Sequence, residues 1–361
     1  MKIPHEHLAS ISSFGYTETE SRFLYIVATH SGYFTQRHYL SFIAQKPGWA
    51  VNTFIERLLK GAHVKQIQVQ NNARVYQLSF KPLYKAIHKE NIRNRRDHSL
   101  EFAKTRLAIL DFVLANLKCD YLEGEQDKVQ YFQENLKIQI HEMPGRTYKG
   151  SNESPDTIRH FVDKFPIFCD RNSDSTHPNV TFTYIDPGFE NVKGFRLHLE
   201  AYSAFLKLLP CFAFIYACPS TKPFHAAERA FDDLIVPNRE RQVTLVTKYF
   251  RIRAACEAKR YELLSNADLE FLNRAKILYA GDGFDSAFGI WNAGHIATDE
   301  LARKVQELLP DKRDVRFTTC RLPFNYSAFD QNSQVGRKPP GNRFSERFSD
   351  RFSEAPTLKF R

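Results

Sequence analysis

The stretch Trp49-Ala50-Val51-Asn52-Thr53-Phe54-Ile55-Glu56-Arg57-Leu58-Leu59-Lys60-Gly61 decides how the first part of the chain is read. Val51, Phe54, Ile55 and Leu58 recur at helical spacing, so one face of this segment is buried, and Gly61 supplies its C-terminal stop. His63–Val69 (HVKQIQV) then alternates, with Val64, Ile67 and Val69 as its apolar members, and Val75–Ser79 (VYQLS) has the same texture. The polar stretch from Gln70 to Arg74 between them makes the pair a β-hairpin with a basic-edged tip.

Two more helices precede this one. From Glu18 to Ser31 (ETESRFLYIVATHS) Phe23, Leu24, Val27 and Ala28 share a side, with Thr17 or Thr19 as cap, Glu18 and Glu20 in the first turn and Gly32 as the stop. Thr35 is placed as N-cap for Gln36–Ala44, whose Tyr39, Leu40 and Ile43 face inward, and Pro47-Gly48 forces a turn. A helix, a helix-turn-helix and then a hairpin is the order of a winged helix. The chain resembles that superfamily in Phe34-Thr35-Gln36, in Asn52 to Gly61 and in the hairpin.

The resemblance implies that the third helix enters the DNA major groove and that the hairpin tip lies along a backbone or minor groove. Asn52, Thr53, Arg57 and Lys60 lie on its outward face. Asn pairs bidentately with adenine and Arg with guanine, whereas Lys and Thr suit phosphates. Gln36, Arg37 and Lys46 would flank the groove, and Lys65, Asn71, Asn72 and Arg74 would form the wing contacts. A basic residue on a helix is more often only solvated, and a winged helix also serves as a protein-docking module.

The distribution of charge agrees with double-stranded DNA as partner. The 361 residues carry a net +10, of which residues 1–96, with 14 Lys/Arg and 5 Asp/Glu, hold +9. Residues 97–330 hold −3 and residues 331–361 hold +4. A basic head on a near-neutral body is a polyanion-binding pattern, because phosphate contacts supply most non-specific affinity for nucleic acid.

The longest apolar runs, such as Cys211–Cys218, are far shorter than the ~20 residues a membrane-spanning helix needs, and Met1–Ser10 lacks the apolar run of a secretory signal. His5 and His7 lie on what reads as a terminal tail. The six cysteines show no C-x-x-C and no zinc spacing, which reads as reduced thiols in a cytoplasmic protein.

The composition divides the chain at 1–90, 91–150, 151–330 and 331–361. After a helix over Pro82–Glu90, Asn91–Ser99 (NIRNRRDHS) reads either as a hinge or as a helix continuing into Leu100, its Arg93, Arg95 and Arg96 either touching a DNA backbone or solvating the surface. Leu100–Leu117 and Gly124–Asn135 then form a helical connector. From Thr157 the texture is mixed α/β: His160–Cys169, Val180–Asp186 and Cys211–Ala217 are strand-like, and Gly194–Leu209 and Pro223–Ile235 are helices. Residues 240–310 return to helices, including the basic Lys248–Arg260, which is either a second DNA-facing surface or an ordinary amphipathic helix.

This arrangement resembles the replication-relaxation family of plasmids and integrative elements, which joins a winged helix to a body related to the restriction-endonuclease core. The resemblance implies a regulator of transcription, or of replication and transfer, on a mobile element. Such nuclease cores use an acid followed by acid-x-Lys to hold Mg²⁺ and activate water. Asp163 and Asp186 stand where two acids would converge, with Glu190 and Glu200 nearby, but no Lys lies two residues beyond Asp186. Lys164 and Lys193 are out of register. Both aspartates read more simply as strand-end turn residues.

No catalytic residue, cofactor or metal is therefore assigned. Gly281-Asp282-Gly283 lacks the Lys-Ser/Thr of a phosphate loop, and the histidines form no relaxase triad. The tail after Asp330 repeats Arg-Phe-Ser-acid from Arg343 to Glu354 and reads as a disordered basic segment that can dock a protein partner. The reading is α+β, a sequence-preferring DNA-binding protein with room for a homodimer. The alternatives are a metal-dependent nuclease-like protein with a degenerate site, and a docking adaptor.

Overall fold

The computed structural model describes residues 1–329 apart from 91, 93–94, 151–154, 163–164, 170–179, 191, 236–238, 280 and 310–313. The fold is mixed α+β. Asp163, Lys164, Arg93 and the Arg-Phe-Ser repeats lie outside the described residues.

The N-terminal part runs α1 (His5–Ser12), α2 (Glu18–Ile26), a π-helical turn (Val27–Ser31), β1 (Tyr33–Phe34), α3 (Gln36–Ile43), α4 (Trp49–Lys60), β2 (Val64–Gln68), β3 (Arg74–Leu78) and α5 (Lys81–Ala86). The start of the chain is thus a helix rather than a tail. It lies against α2 and α5, with Ile11 fully buried. Thr17 and Glu20 form a reciprocal capping box that starts α2. Gly32, at φ 79°, ends the π turn in a left-handed conformation that suits glycine. The chain then runs directly into β1, which pairs antiparallel with β3, giving a three-stranded sheet in the order β1-β3-β2.

Phe23, Phe34, Tyr39 and Phe54 knit α2, α3, α4 and β1 together, with the Tyr39 and Phe54 rings 4.2 Å apart. Each buried Phe contributes about 1.5–3 kcal/mol, and each aromatic pair about 0.5–1.5 more.

The body runs α6 (Leu100–Ala115), β4 (Asp120–Tyr121), α7 (Glu125–Leu136), β5 (Gly145–Tyr148), β6 (Thr157–His160), β7 (Ile167–Cys169), β8 (Val180–Ile185), α8 (Val192–Leu208), β9 (Cys211–Cys218) and α9 (Phe224–Leu234). It continues through α10 (Arg239–Glu257), α11 (Asn266–Leu278), α12 (Asp282–Asn292), α13 (Thr298–Leu308) and β10 (Asp314–Arg321). The main sheet has the order β10-β9-β8-β7-β4; β8, β9 and β10 are parallel, while β7 and β4 are antiparallel to their neighbours. α8 and α9 cover one face through Phe182, Phe195, Phe205, Phe214 and Phe231. Helices α10 to α13 pack around a separate core that includes Phe250 and Phe288.

The other face of the sheet meets α6. This helix is buried from Ala103 to Val113, so its sequence carries apolar residues all round rather than on a stripe. One continuous apolar cluster runs from Ile11 through α6 to Phe168, Ile185, Ala217 and Leu322, so the N-terminal part and the sheet share a core. The charges buried on α6 mark the joint. The Arg106 guanidinium donates to the His30 and Ser31 carbonyls at the end of the π turn, with Nε to Ser31 at 3.0 Å. Burial lowers Arg106 to about 10, so it still binds its proton at neutral pH.

Candidate nucleic-acid interface

On α4 the buried residues Val51, Phe54, Ile55 and Leu58 leave an outer face formed by Trp49, Asn52, Thr53, Glu56 and Lys60. Asn52 is exposed. Its Oδ1 accepts from Gln36 Nε2 at 3.0 Å, which orients the amide and leaves one oxygen lone pair and both N–H donors open. The Thr53 hydroxyl turns back onto its own helix and donates to the Trp49 carbonyl at 2.9 Å. Lys60 is exposed and only loosely paired with Glu56, at 3.9 Å. Lys46, in the turn before α4, is exposed and has no side-chain partner among the described residues.

The two arginines read as groove contacts are half-buried and bound to partners within the molecule. Arg57 makes a two-pronged pair with the buried Glu20, at 3.0 and 3.1 Å, and donates to the Gly15 carbonyl at 2.7 Å. It clamps α4 to α2. Arg37 pairs with Asp111 on α6 at 3.0 Å, donates to the Tyr326 hydroxyl at 2.6 Å and lies over the Phe324 ring, 3.2 Å from its centroid.

Asp111 is the hub of that second set. The fully buried His38 accepts the Thr35 backbone N–H at Nδ1, so its Nε2 carries the proton and meets Asp111 at 3.2 Å. Tyr326 donates to the same carboxylate. Burial works to raise the Asp111 carboxyl, but hydrogen bonds from His38 and Arg37 and the Arg37 charge outweigh it and hold the group below the usual carboxylate range. Burial lowers His38 despite Asp111, which favours the neutral ring at pH 7.

At the hairpin, Asn71 and Asn72 lie in the tight turn Gln70–Asn72, and Asn72 has a left-handed φ of 55° and accepts from Gln68 at 3.2 Å. Lys65 on β2 reaches Asp97 at 2.8 Å, an exposed pair worth ~0–1 kcal/mol that a phosphate can displace. Arg74 is exposed, and its side chain has no partner among the described residues. The structure thus leaves Lys46, Asn52 and Arg74 open, holds Lys60 and Lys65 weakly, and commits Arg37, Arg57 and Thr53 to internal bonds.

Trp49, 82 % exposed at the start of α4, was not among the expected contacts. Its signal was in the helical wheel, where it is a large apolar residue out of register with the buried face.

In the body, Asp186 follows β8 and is buried. Its carboxylate accepts from the Gly188 N–H at 2.9 Å, the Phe189 N–H at 2.7 Å and the Tyr216 hydroxyl at 2.9 Å. That is the geometry of a turn cap with its acceptors in use. Among the described residues no group of three or more His, Cys, Asp or Glu side chains could hold a metal ion. The six cysteines are unbridged. Among the described residues no helix is long and apolar enough to cross a membrane. No family model matches the chain, and no similar curated protein or solved structure was found.

Proposed function

We propose that residues 5–87 form a winged helix-turn-helix that binds double-stranded DNA, with α4 as the recognition helix and the β2–β3 hairpin as the wing. The observation that carries this reading is the order α2-β1-α3-α4-β2-β3 with β1 paired on β3. That arrangement supports α4 from behind and leaves Trp49, Asn52 and Lys60 outward. Lys46 on one side and Arg74 on the other supply charge for the phosphates flanking the groove. Asn52, preset by Gln36, is the residue placed to read a base, with adenine as its best partner. The replication-relaxation resemblance points to a regulator of transcription or of replication and transfer on a mobile element.

The test uses the full chain, because α6 covers the back of the head and a fragment ending at residue 96 would bare that surface. Mobility shifts on a duplex of about three helical turns should show binding that weakens steeply with salt. Absence of a shift at about 50 mM salt, where phosphate contacts are strongest, sinks the reading.

A further inference from the structure

Because β8, β9 and β10 are parallel, their carboxyl ends, Ile185, Cys218 and Arg321, lie along one edge of the sheet. Open sheets with parallel strands bind ligands in the crevice beyond that edge. Here the crevice is closed on its far side by the N-terminal head. A groove of about 480 Å³ lies between the segment leaving β10, Leu322 to Phe329, and the tip end of the hairpin at Ala73, Arg74 and Val75. Pro219, which follows β9, and Thr35 and Arg37, at the start of α3, complete it.

The lining carries three arginines and no carboxylate. Arg37 is neutralised by Asp111 and lies over Phe324, so it forms part of the wall. Arg74 and Arg321 are the exposed cations. Arg321 Nε donates to the Pro219 carbonyl at 3.3 Å, which anchors the guanidinium and leaves its terminal N–H groups for a ligand. The 322–329 segment is preset: Tyr326 is bonded to Arg37, His38 and Asp111, and Phe329 packs with Tyr33, Val75 and Leu107. A rigid groove with two unneutralised guanidinium groups suits a phosphoryl anion, which accepts paired N–H donors.

We propose that this groove binds a phosphodiester, held between Arg74 of the hairpin and Arg321 of the sheet. The inference rests on the DNA-binding reading only for the source of the phosphate. That source is the backbone of a duplex lying on the head or, with the same chemistry, a short free oligonucleotide. The proposal gives the body a role, since Arg321 ends a strand that lies outside the head in sequence.

The experiment measures affinity against salt for the full chain and for Arg74→Ala, Arg321→Ala and a control, Arg229→Ala, on the exposed side of α9. Thermal unfolding confirms that each variant is folded. Probes are the duplex and the 5′-phosphorylated dinucleotide pTpT. Each groove substitution should weaken duplex binding about threefold or more at low salt and reduce the salt slope by about one, with Arg229→Ala unchanged. If Arg74→Ala alone has an effect, and pTpT binding is absent or survives both substitutions, the groove is overturned while the DNA-binding reading stands. If pTpT binds through both arginines and the duplex does not bind at all, the groove stands and the DNA-binding reading falls. Binding of neither probe overturns both.

Discussion

The head and the α10–α13 bundle both present basic helices, yet they use their cations differently. In the bundle, Lys248 pairs with Asp268 of α11 at 2.9 Å, and Arg253 pairs with Glu257 and with Asp285 of α12. Those pairs are partly exposed, and all lie within one small unit. In the head, Arg37 and Arg57 meet carboxylates that are almost wholly buried, Asp111 and Glu20, while Lys46 and Arg74 are left open. The contrast teaches that a count of basic residues does not locate an interface. What matters is whether each cation has a partner, and how dry that partner is.

The strongest way to break the comparison is Asp111→Ala. It removes the shared acceptor of Arg37, His38 and Tyr326 in a buried site, where loss of one partner costs about 3–5 kcal/mol. Urea unfolding should show that loss, whereas Asp285→Ala in the bundle should stay within about 1 kcal/mol. Equal, small effects would mean that the head's ion pairs are no more structural than the bundle's.

Arg57→Ala comes next, at about 1–3 kcal/mol, because it strips a charged donor from the buried Glu20. The folded variant should keep its base preference. Asn52→Ala should do the reverse, with unchanged stability and a loss of about 1–3 kcal/mol in discrimination at one base pair, read by competition between duplexes. A lost preference with Arg57→Ala in the folded protein would restore that arginine as a base contact.

Acid should also separate the regions. Burial lowers His7, His30, His38 and His63, all in the head, and His30 lies 4.0 Å from Glu123 with no hydrogen bond to its Nε2. A histidine lowered by folding takes up its proton first in the unfolded chain. The stability it lends is therefore complete above about pH 6.5 and is lost as pH falls from there through the folded value. The melting temperature should drop between pH 7.5 and 5.5, and His30→Gln should flatten that drop. A melting temperature level across this range would contradict the burial of these rings.

Much of the head could be read from local pattern. Phe23, Phe54 and Leu58 fall on helical wheels, Thr35 and Gly61 mark ends, and the alternation after His63 marks a hairpin. Several elements along the chain escaped, among them α1, β1 and β10. α1 has a single fully buried residue, Ile11, β1 is only two residues long, and β10 pairs with β9 across the intervening helices α9 to α13. A strand whose partner lies so far along the chain leaves no periodic mark beyond Val315 and Phe317. The fate of the arginines was equally hidden, because Arg37 is separated by 74 residues from Asp111 and by 289 from Tyr326. Spacing shows which face a cation is on, while its partner is decided by tertiary contact.

The smallest change in stability should come from Trp49→Ala. The side chain is 82 % exposed, so its removal should alter unfolding by no more than about 0.5 kcal/mol. Its effect on binding should be out of proportion to that. Trp49 shares the outer face of α4 with Asn52, where the indole can lie against a thymine methyl or a sugar and shed exposed apolar surface. The chain has two tryptophans, and the other, Trp291, is partly buried against the bundle core. A Trp291→Phe background therefore makes Trp49 the sole reporter of the head. Its emission should quench and shift to the blue as duplex is added, and fall back as salt rises. An unchanged spectrum at saturating duplex would place the DNA elsewhere and remove α4 as the recognition helix, even if mobility shifts persist.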